Sequence, residues 1–237
     1  MKKLTGTFIS LVGLVGGLVG LVWSFKLTTS TQIIVSLAVL VLATVFLIVL
    51  FVQSRRPEFT IVSLDKKLVL QDVEGRRATF ERKSREVAGF DGLRELWFRN
   101  IAADGTIENI TVASIPGSQE TQTVKQLGLI HIRVLLNMPL KKGQEIETTL
   151  TYDILDSFVK PSEALIHVVN YRTRVLRIVI EFPAERPYRS AVLKEIFGGT
   201  TARIISLGMP EDNTRRRLGA EIENPKLGAN YELRWEW

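Results

Sequence analysis

Two histidines and no cysteine bound the chemistry open to this chain. Without a thiol, a cysteine nucleophile and a Cys/His zinc site are both excluded. His131 and His167 each sit in an apolar stretch, Leu129-Ile130-His131-Ile132 and Leu165-Ile166-His167-Val168. An imidazole there is expected to be half-buried and hydrogen-bonded rather than ligating a metal. No glycine-rich phosphate loop, G-x-S-x-G or H-E-x-x-H pattern occurs. Asp153, Asp156 and Glu163 are close in sequence, but their spacing distributes them around a strand end and a loop rather than converging on a cation. The chain is read as non-enzymatic, with no cofactor and no metal.

Positive charge is the remaining polar signal, with a formal net charge of +6. Such a balance favours anionic lipid, nucleic acid or a phosphorylated small molecule. Arg55, Arg56, Lys66, Lys67, Arg76 and Arg77 are expected at a membrane surface. Two further clusters, Tyr171 with Arg172 and Arg174, and Arg215 with Arg216 and Arg217, have the chemistry of a ligand site. A tyrosine between guanidinium groups can stack a base while their N–H forks hold phosphate oxygens. The alternative for both is a solvated loop between strands. Direct DNA binding is not expected.

Two apolar runs, 8–23 and 33–52, precede these clusters. About twenty residues at 1.5 Å rise cross a hydrocarbon core of ~30 Å, so the second run predicts a transmembrane helix over about 32–53. The first predicts another over about 5–25. A secretory signal is the other reading of that run, but no small-x-small cleavage site follows Trp23. Gly6, Ser10, Gly13, Gly17, Gly20 and Ser24 draw one seam down this first helix, and Gly16 adds a second G-x-x-x-G with Gly20. Small residues permit close helix packing in lipid, either within one chain or between chains of a homo-oligomer. The connector 26–32 is short enough to force an antiparallel hairpin. Lys2, Lys3, Arg55 and Arg56 place both termini in the cytoplasm, a two-pass arrangement.

From residue 59 onward the apolar period becomes two. Ile146, Thr148, Leu150, Tyr152 and Ile154 oppose Glu147, Thr149, Thr151 and Asp153; Leu176, Ile178, Ile180 and Phe182 alternate likewise, as do Tyr231, Leu233, Trp235 and Trp237. Alternation of this kind marks strands. Further strands are expected at 59–64, 67–72, 77–82, 93–100, 107–115, 127–136, 164–170, 202–207 and 218–223. A short helix is expected at 189–197 with Ser190 as its cap. The expected fold is a two-helix transmembrane hairpin, residues 1–56, followed by one cytoplasmic all-β domain, 57–237, an antiparallel β-sandwich or small β-barrel.

This layout resembles bacterial antiphage membrane effectors in which two transmembrane helices precede a β-rich cytoplasmic sensor of a cyclic-oligonucleotide signal. The resemblance is architectural, carried by runs 8–23 and 33–52 and the strands after 59. It implies a cyclic nucleotide ligand, ligand-triggered oligomerisation and damage to the inner membrane. On that reading the protein is a non-enzymatic membrane effector in antiviral defence, with the lipid bilayer as a partner. A membrane-anchored adaptor that holds a protein partner through a strand edge remains open beside it.

Overall fold

The computed structural model describes residues 29–54, 58–115, 119–126, 129–205, 207 and 214–237. The chain divides into two compact units, 1–56 and 57–237. In the first, one helix is described, α1 (Thr29–Ser54). Residues 29–32, expected in a hairpin connector, form its first turn, which is wholly polar. The expected helix over 5–25 lies outside the described residues, as does its seam of Gly6, Ser10, Gly13, Gly16, Gly17, Gly20 and Ser24. Among the described residues no helix is long and apolar enough to cross a membrane. This overturns the two-helix transmembrane hairpin, the two-pass inner-membrane placement and the reading as an effector or adaptor anchored there.

The second unit is built of strands: β1 (Phe59–Leu70), β2 (Arg77–Ala88), β3 (Leu93–Ile101), β4 (Thr106–Ile115), β5 (Gln119–Gln126), β6 (Leu129–Leu140), β7 (Glu145–Leu155), β8 (Ser162–Val168), β9 (Thr173–Glu181), β10 (Ser190–Phe197), β11 (Thr200–Ile205), β12 (Arg217–Glu223) and β13 (Asn230–Glu236). They form a six-stranded sheet in the order β12-β9-β1-β2-β7-β4, a four-stranded sheet β11-β10-β13-β8, and a three-stranded sheet β3-β6-β5. Of the expected antiparallel sandwich or small barrel, the closed barrel does not form, and the fold is not purely antiparallel. β1 runs parallel to β9, with Leu64 opposite Leu176 and Leu68 opposite Ile180. Parallel neighbours need a long crossover, and here more than a hundred residues intervene.

Alternation selects the buried face of each strand. Leu64 and Leu68, Leu176, Ile178 and Ile180, and Ile146 and Leu150 point inward from the six-stranded sheet, and Tyr231, Leu233 and Trp235 from the four-stranded one. The two sheets meet through aromatic rings: Phe182 packs edge-on to Trp235 with centroids 6.0 Å apart, and Phe158 lies 5.9 Å from the same indole. The expected helix at 189–197 is β10, paired with β13 so that Leu193 faces Leu233. Its helix-compatible composition yields to the pairing partner, since β-propensity is largely a matter of fit to neighbours.

One turn is sterically locked. Gly75, at φ +73°, donates to the Asp72 carbonyl and has its own carbonyl bonded by the Phe158 amide at 3.0 Å. A Cβ there would lie 1.8 Å from the Phe158 carbonyl oxygen. Gly75→Ala is expected to lower the unfolding free energy by roughly 2–4 kcal/mol, read as a drop in the urea midpoint of the β unit's transition.

Candidate functional site

The inner face of the six-stranded sheet changes character along its length. At one end it is apolar, with Leu68 opposite Phe80 and Phe80 opposite Tyr152, the two rings stacked at 4.8 Å. Two residues further along each strand the same face carries Lys66 opposite Arg82, then Ser84 opposite Thr148, then Glu86. Period-two geometry allows no other outcome: a strand that buries Phe80 and Ala88 must turn Arg82, Ser84 and Glu86 to the same side.

The polar groups are unevenly satisfied. Ser84 Oγ donates to Glu86 Oε1 at 2.8 Å and lies 2.8 Å from Thr148 Oγ1. Glu86 also faces Arg82, with Oε1 to Nη2 at 3.6 Å. The Arg82 guanidinium sits over the Phe98 ring at 4.9 Å, and its Nε is buried with no hydrogen-bond partner. Lys66 is half-buried, its Nζ 5.7 Å from the Phe80 centroid, and among the described residues no carboxylate forms an ion pair with it. Burial, and after it the positive charge of Arg82, lowers the Lys66 ammonium to about 7. Burial also lowers Arg82, opposed by the Glu86 carboxylate. From the four-stranded sheet, His167 reaches the same region. Burial first, then Lys66 and Arg82, push it down to about 2, so the ring is neutral, and its Nε2 is buried without a partner. The expectation of a half-buried histidine holds in burial, but not in hydrogen bonding at this nitrogen.

Beside this cluster lies a cavity of ≈440 Å³. Ile61, Leu64 and Arg82 line it from the six-stranded sheet, His167 and Val168 from β8, Trp97 and Arg99 from β3, and Asn170, Tyr171 and Thr173 from the segment entering β9, with Glu58 completing the wall. Trp97 is fixed by its own Nε1–H donating to Glu95 Oε2 at 3.2 Å and by two guanidinium groups, Arg99 at 5.4 Å and Arg133 at 5.8 Å from the indole. Arg133 also binds Glu95 Oε1, and that bond holds the carboxyl below its usual range. Tyr171 is half-buried, and burial raises its phenol, which stays protonated. The hydroxyl of Thr173 donates to the Tyr171 carbonyl at 3.0 Å. The lining therefore offers two cations, Arg82 and Arg99, one carboxylate, Glu58, a neutral imidazole and two aromatic surfaces. Among the described residues, no group of His, Asp or Glu side chains could hold a metal ion.

Of the residues singled out by sequence, Tyr171 lines this cavity and the arginines do not. Arg172 and Arg174 are exposed, and they contribute backbone carbonyls to the Ile61 amide at 2.8 Å and the Asn224 amide at 2.7 Å. Arg215 has φ +54° and donates from Nη1 to the Arg189 carbonyl at 2.9 Å. Arg216 accepts from the Phe182 amide, and Arg217 stands opposite Glu181. This basic run is at the far end of β9, eight residues from Thr173 or roughly 26 Å at ~3.3 Å per residue. Lys66, expected at a membrane surface, faces the interior. Sequence reasoning missed Arg82 by ending its strand there, although Phe80, Arg82, Ser84, Glu86 and Ala88 keep the alternation intact.

No family model and no curated protein matches the chain. Among solved structures it is similar to an M1 zinc metallopeptidase from Deinococcus radiodurans, at TM-score 0.41 and 10% identity over 75% of this chain and 42% of that one. It is also similar to native yeast LTA4 hydrolase, at TM-score 0.44 and 10% identity over 75% of this chain and 29% of that one. The chain spans less than half the length of either, and likenesses this distant carry no argument about activity.

The Lys66 amine makes stability depend on pH with a defined sign. Between the folded value of about 7 and the unfolded 10.5, the unfolded chain holds a proton that the folded chain lacks. Stability therefore rises with pH across that window, and this dependence ends below pH 7. Lys66→Met is expected to flatten the rise and to stabilise the fold by about 1–2 kcal/mol at pH 7, measured as the difference in urea midpoint between wild type and variant from pH 6 to 10.

Proposed function

We propose that the β unit is a binding module for a small anionic ligand that also carries a planar ring. Its negative group sits against the Arg82 guanidinium, and its ring lies against Trp97 and Tyr171. Nucleotides, cyclic nucleotides among them, supply both parts. The observation that carries this reading is the buried Arg82 Nε, which has no partner beside a cavity of ≈440 Å³. A buried donor without an acceptor is costly, and an incoming anion would remove that cost while gaining a charge-assisted hydrogen bond.

Charge balance supports the same class. Lys66 and Arg82 face Glu86 alone on the sheet's inner face, so an anion is attracted in a medium that screens poorly. The neutral His167 can donate or accept at Nε2, which suits a phosphoryl oxygen or a hydroxyl. Trp97 lines the cavity with Arg99 and Arg133 beside its indole, and a base stacked on such a ring gains about 1–3 kcal/mol.

Calorimetric titration of the full chain with cyclic di- and trinucleotides, a mononucleotide and inorganic phosphate tests this. Arg82→Met is expected to weaken every anion at least tenfold, on the order of 1.5–3 kcal/mol for a lost charged hydrogen bond. Trp97→Leu should weaken the nucleotides and spare phosphate, whereas Arg172→Ala and Arg216→Ala should leave all affinities unchanged. Absence of heat with every anion at millimolar concentration, or a loss in Arg172→Ala equal to that in Arg82→Met, would refute the assignment.

A further inference from the structure

The six-stranded sheet ends on one side in β12, which among the described residues pairs only with β9. Three other edges are irregular: β4 shifts register between Glu108 and Thr111, around Asn109 at φ +51°, β3 shifts twice and β11 once, while β5 and β8 keep continuous registers. Such bulges blunt an edge against further pairing. β12 has none, and its register against β9 is continuous from Arg217 to Glu223.

Which backbone groups of β12 face outward follows from two hydrogen bonds. The Phe182 amide donates to the Arg216 carbonyl at 2.8 Å, and the Asn224 amide donates to the Arg174 carbonyl at 2.7 Å. Residues 216 and 224 therefore face β9, and by alternation so do 218, 220 and 222. Arg217, Gly219, Glu221 and Glu223 turn their N–H and C=O groups to the open edge.

We propose that this edge pairs with the same edge of a second copy of the chain, antiparallel about a two-fold axis through Ala220. The register then sets Arg217 opposite Glu223 of the second copy, twice by symmetry, and Gly219 opposite Glu221. All of these are outward-facing residues, so each pair can exchange both backbone hydrogen bonds, as the antiparallel ladder requires. On the inner face the apolar row of buried Leu218, half-buried Ala220 and buried Ile222 continues into its own copy, leucine against isoleucine and alanine against alanine.

Gly219 supports the same pairing. Its φ is not in the left-handed region, and a Cβ added there would meet nothing within 4 Å, so neither backbone conformation nor crowding within the chain accounts for a glycine. A glycine inside a strand weakens it and often marks where another backbone comes close. In the proposed pair it faces Glu221, whose carboxylate is held by Arg177 Nε at 2.7 Å, and the missing side chain leaves that ion pair undisturbed. This inference is independent of the ligand assignment, since none of these residues lines the cavity.

The chain has no cysteine, so Ala220→Cys introduces a single thiol. Residues facing each other in a non-hydrogen-bonded pair have Cα atoms about 4.5 Å apart, within disulfide range. Mild oxidation of the full-length Ala220→Cys chain is expected to yield a covalent dimer, whereas Glu147→Cys, on an interior strand of the same sheet, should not. Sedimentation of the cysteine-free chain gives a second measure. Arg217→Glu is expected to raise the dimer dissociation constant about tenfold by making both cross-strand pairs repulsive, and adding Glu223→Arg to it should restore association. Equal disulfide yield from the two cysteine variants would overturn the proposal, as would a dissociation constant unmoved by Arg217→Glu or not recovered by the charge swap.

Discussion

Two cations face each other on the inner side of the six-stranded sheet, Lys66 on β1 and Arg82 on β2, with Glu86 as their one carboxylate on that face. Everything around them is arranged to tolerate that charge. Phe98 lies under the guanidinium and Phe80 beside the ammonium, so ring faces take part of the role that water would play. Ser84 and Thr148 tie the carboxylate down, leaving it directed at Arg82. His167 has to be neutral in such company. The apolar drive for folding comes from the other end of the unit, where Trp235, Phe182, Tyr188 and Trp237 cluster with Phe158. The sheet is thus divided along its strands into an end that stabilises and an end that remains polar.

The strands were legible wherever one face was apolar and the other polar over several residues. Residues 146–154, 176–182 and 231–237 show that pattern, and β7, β9 and β13 lie there. β1 was read as two strands, 59–64 and 67–72, with Asp65 and Lys66 left between them. In the fold Lys67 reaches Glu181 across the outer face while Lys66 turns inward, and only tertiary neighbours make the second tolerable. β5, with the sequence Gln-Glu-Thr-Gln-Thr-Val-Lys-Gln, has no alternation to read, and its described side chains are exposed. The parallel pairing of β1 with β9 leaves no local trace, since nothing within either segment specifies a partner so distant in sequence. The apolar runs show the opposite problem: a strong local signal predicted a hairpin, yet its first helix lies outside the described residues and its connector is partly the first turn of α1.

The site was legible only in part, for the same physical reason. Tyr171 stood out because it is flanked by arginines, and it does line the cavity, but those arginines point to solvent. Clustering in sequence is a poor guide to clustering in a sheet, where adjacent residues face opposite sides and true neighbours come from other strands. Arg82, Trp97 and His167 are separated by tens of residues and belong to three different sheets. The β1–β2 register is needed before Lys66 and Arg82 can be seen as neighbours. A strand face reading Phe-x-Arg-x-Ser-x-Glu-x-Ala was the available clue, since a core-facing row broken by charge is unusual.

Such a row is hard to explain as a contribution to the fold. Taking an ion pair out of water costs more than its attraction commonly returns, and apolar replacements of similar volume are often neutral or stabilising. Here the balance is worse than for a pair, because Lys66 lies beside Arg82 where burial and that guanidinium oppose its charge, and the Arg82 Nε makes no hydrogen bond. A fold-only requirement would be met by continuing the apolar face of Leu68, Phe80 and Tyr152 toward Leu64, and the backbone geometry would accept it. Where local rules are broken without a gain visible within the fold, a functional site is where such a break is expected. The broken rule, the unpartnered donors and the cavity coincide in one place, which is why the functional reading rests on Arg82 rather than on the more conspicuous arginine runs at the surface.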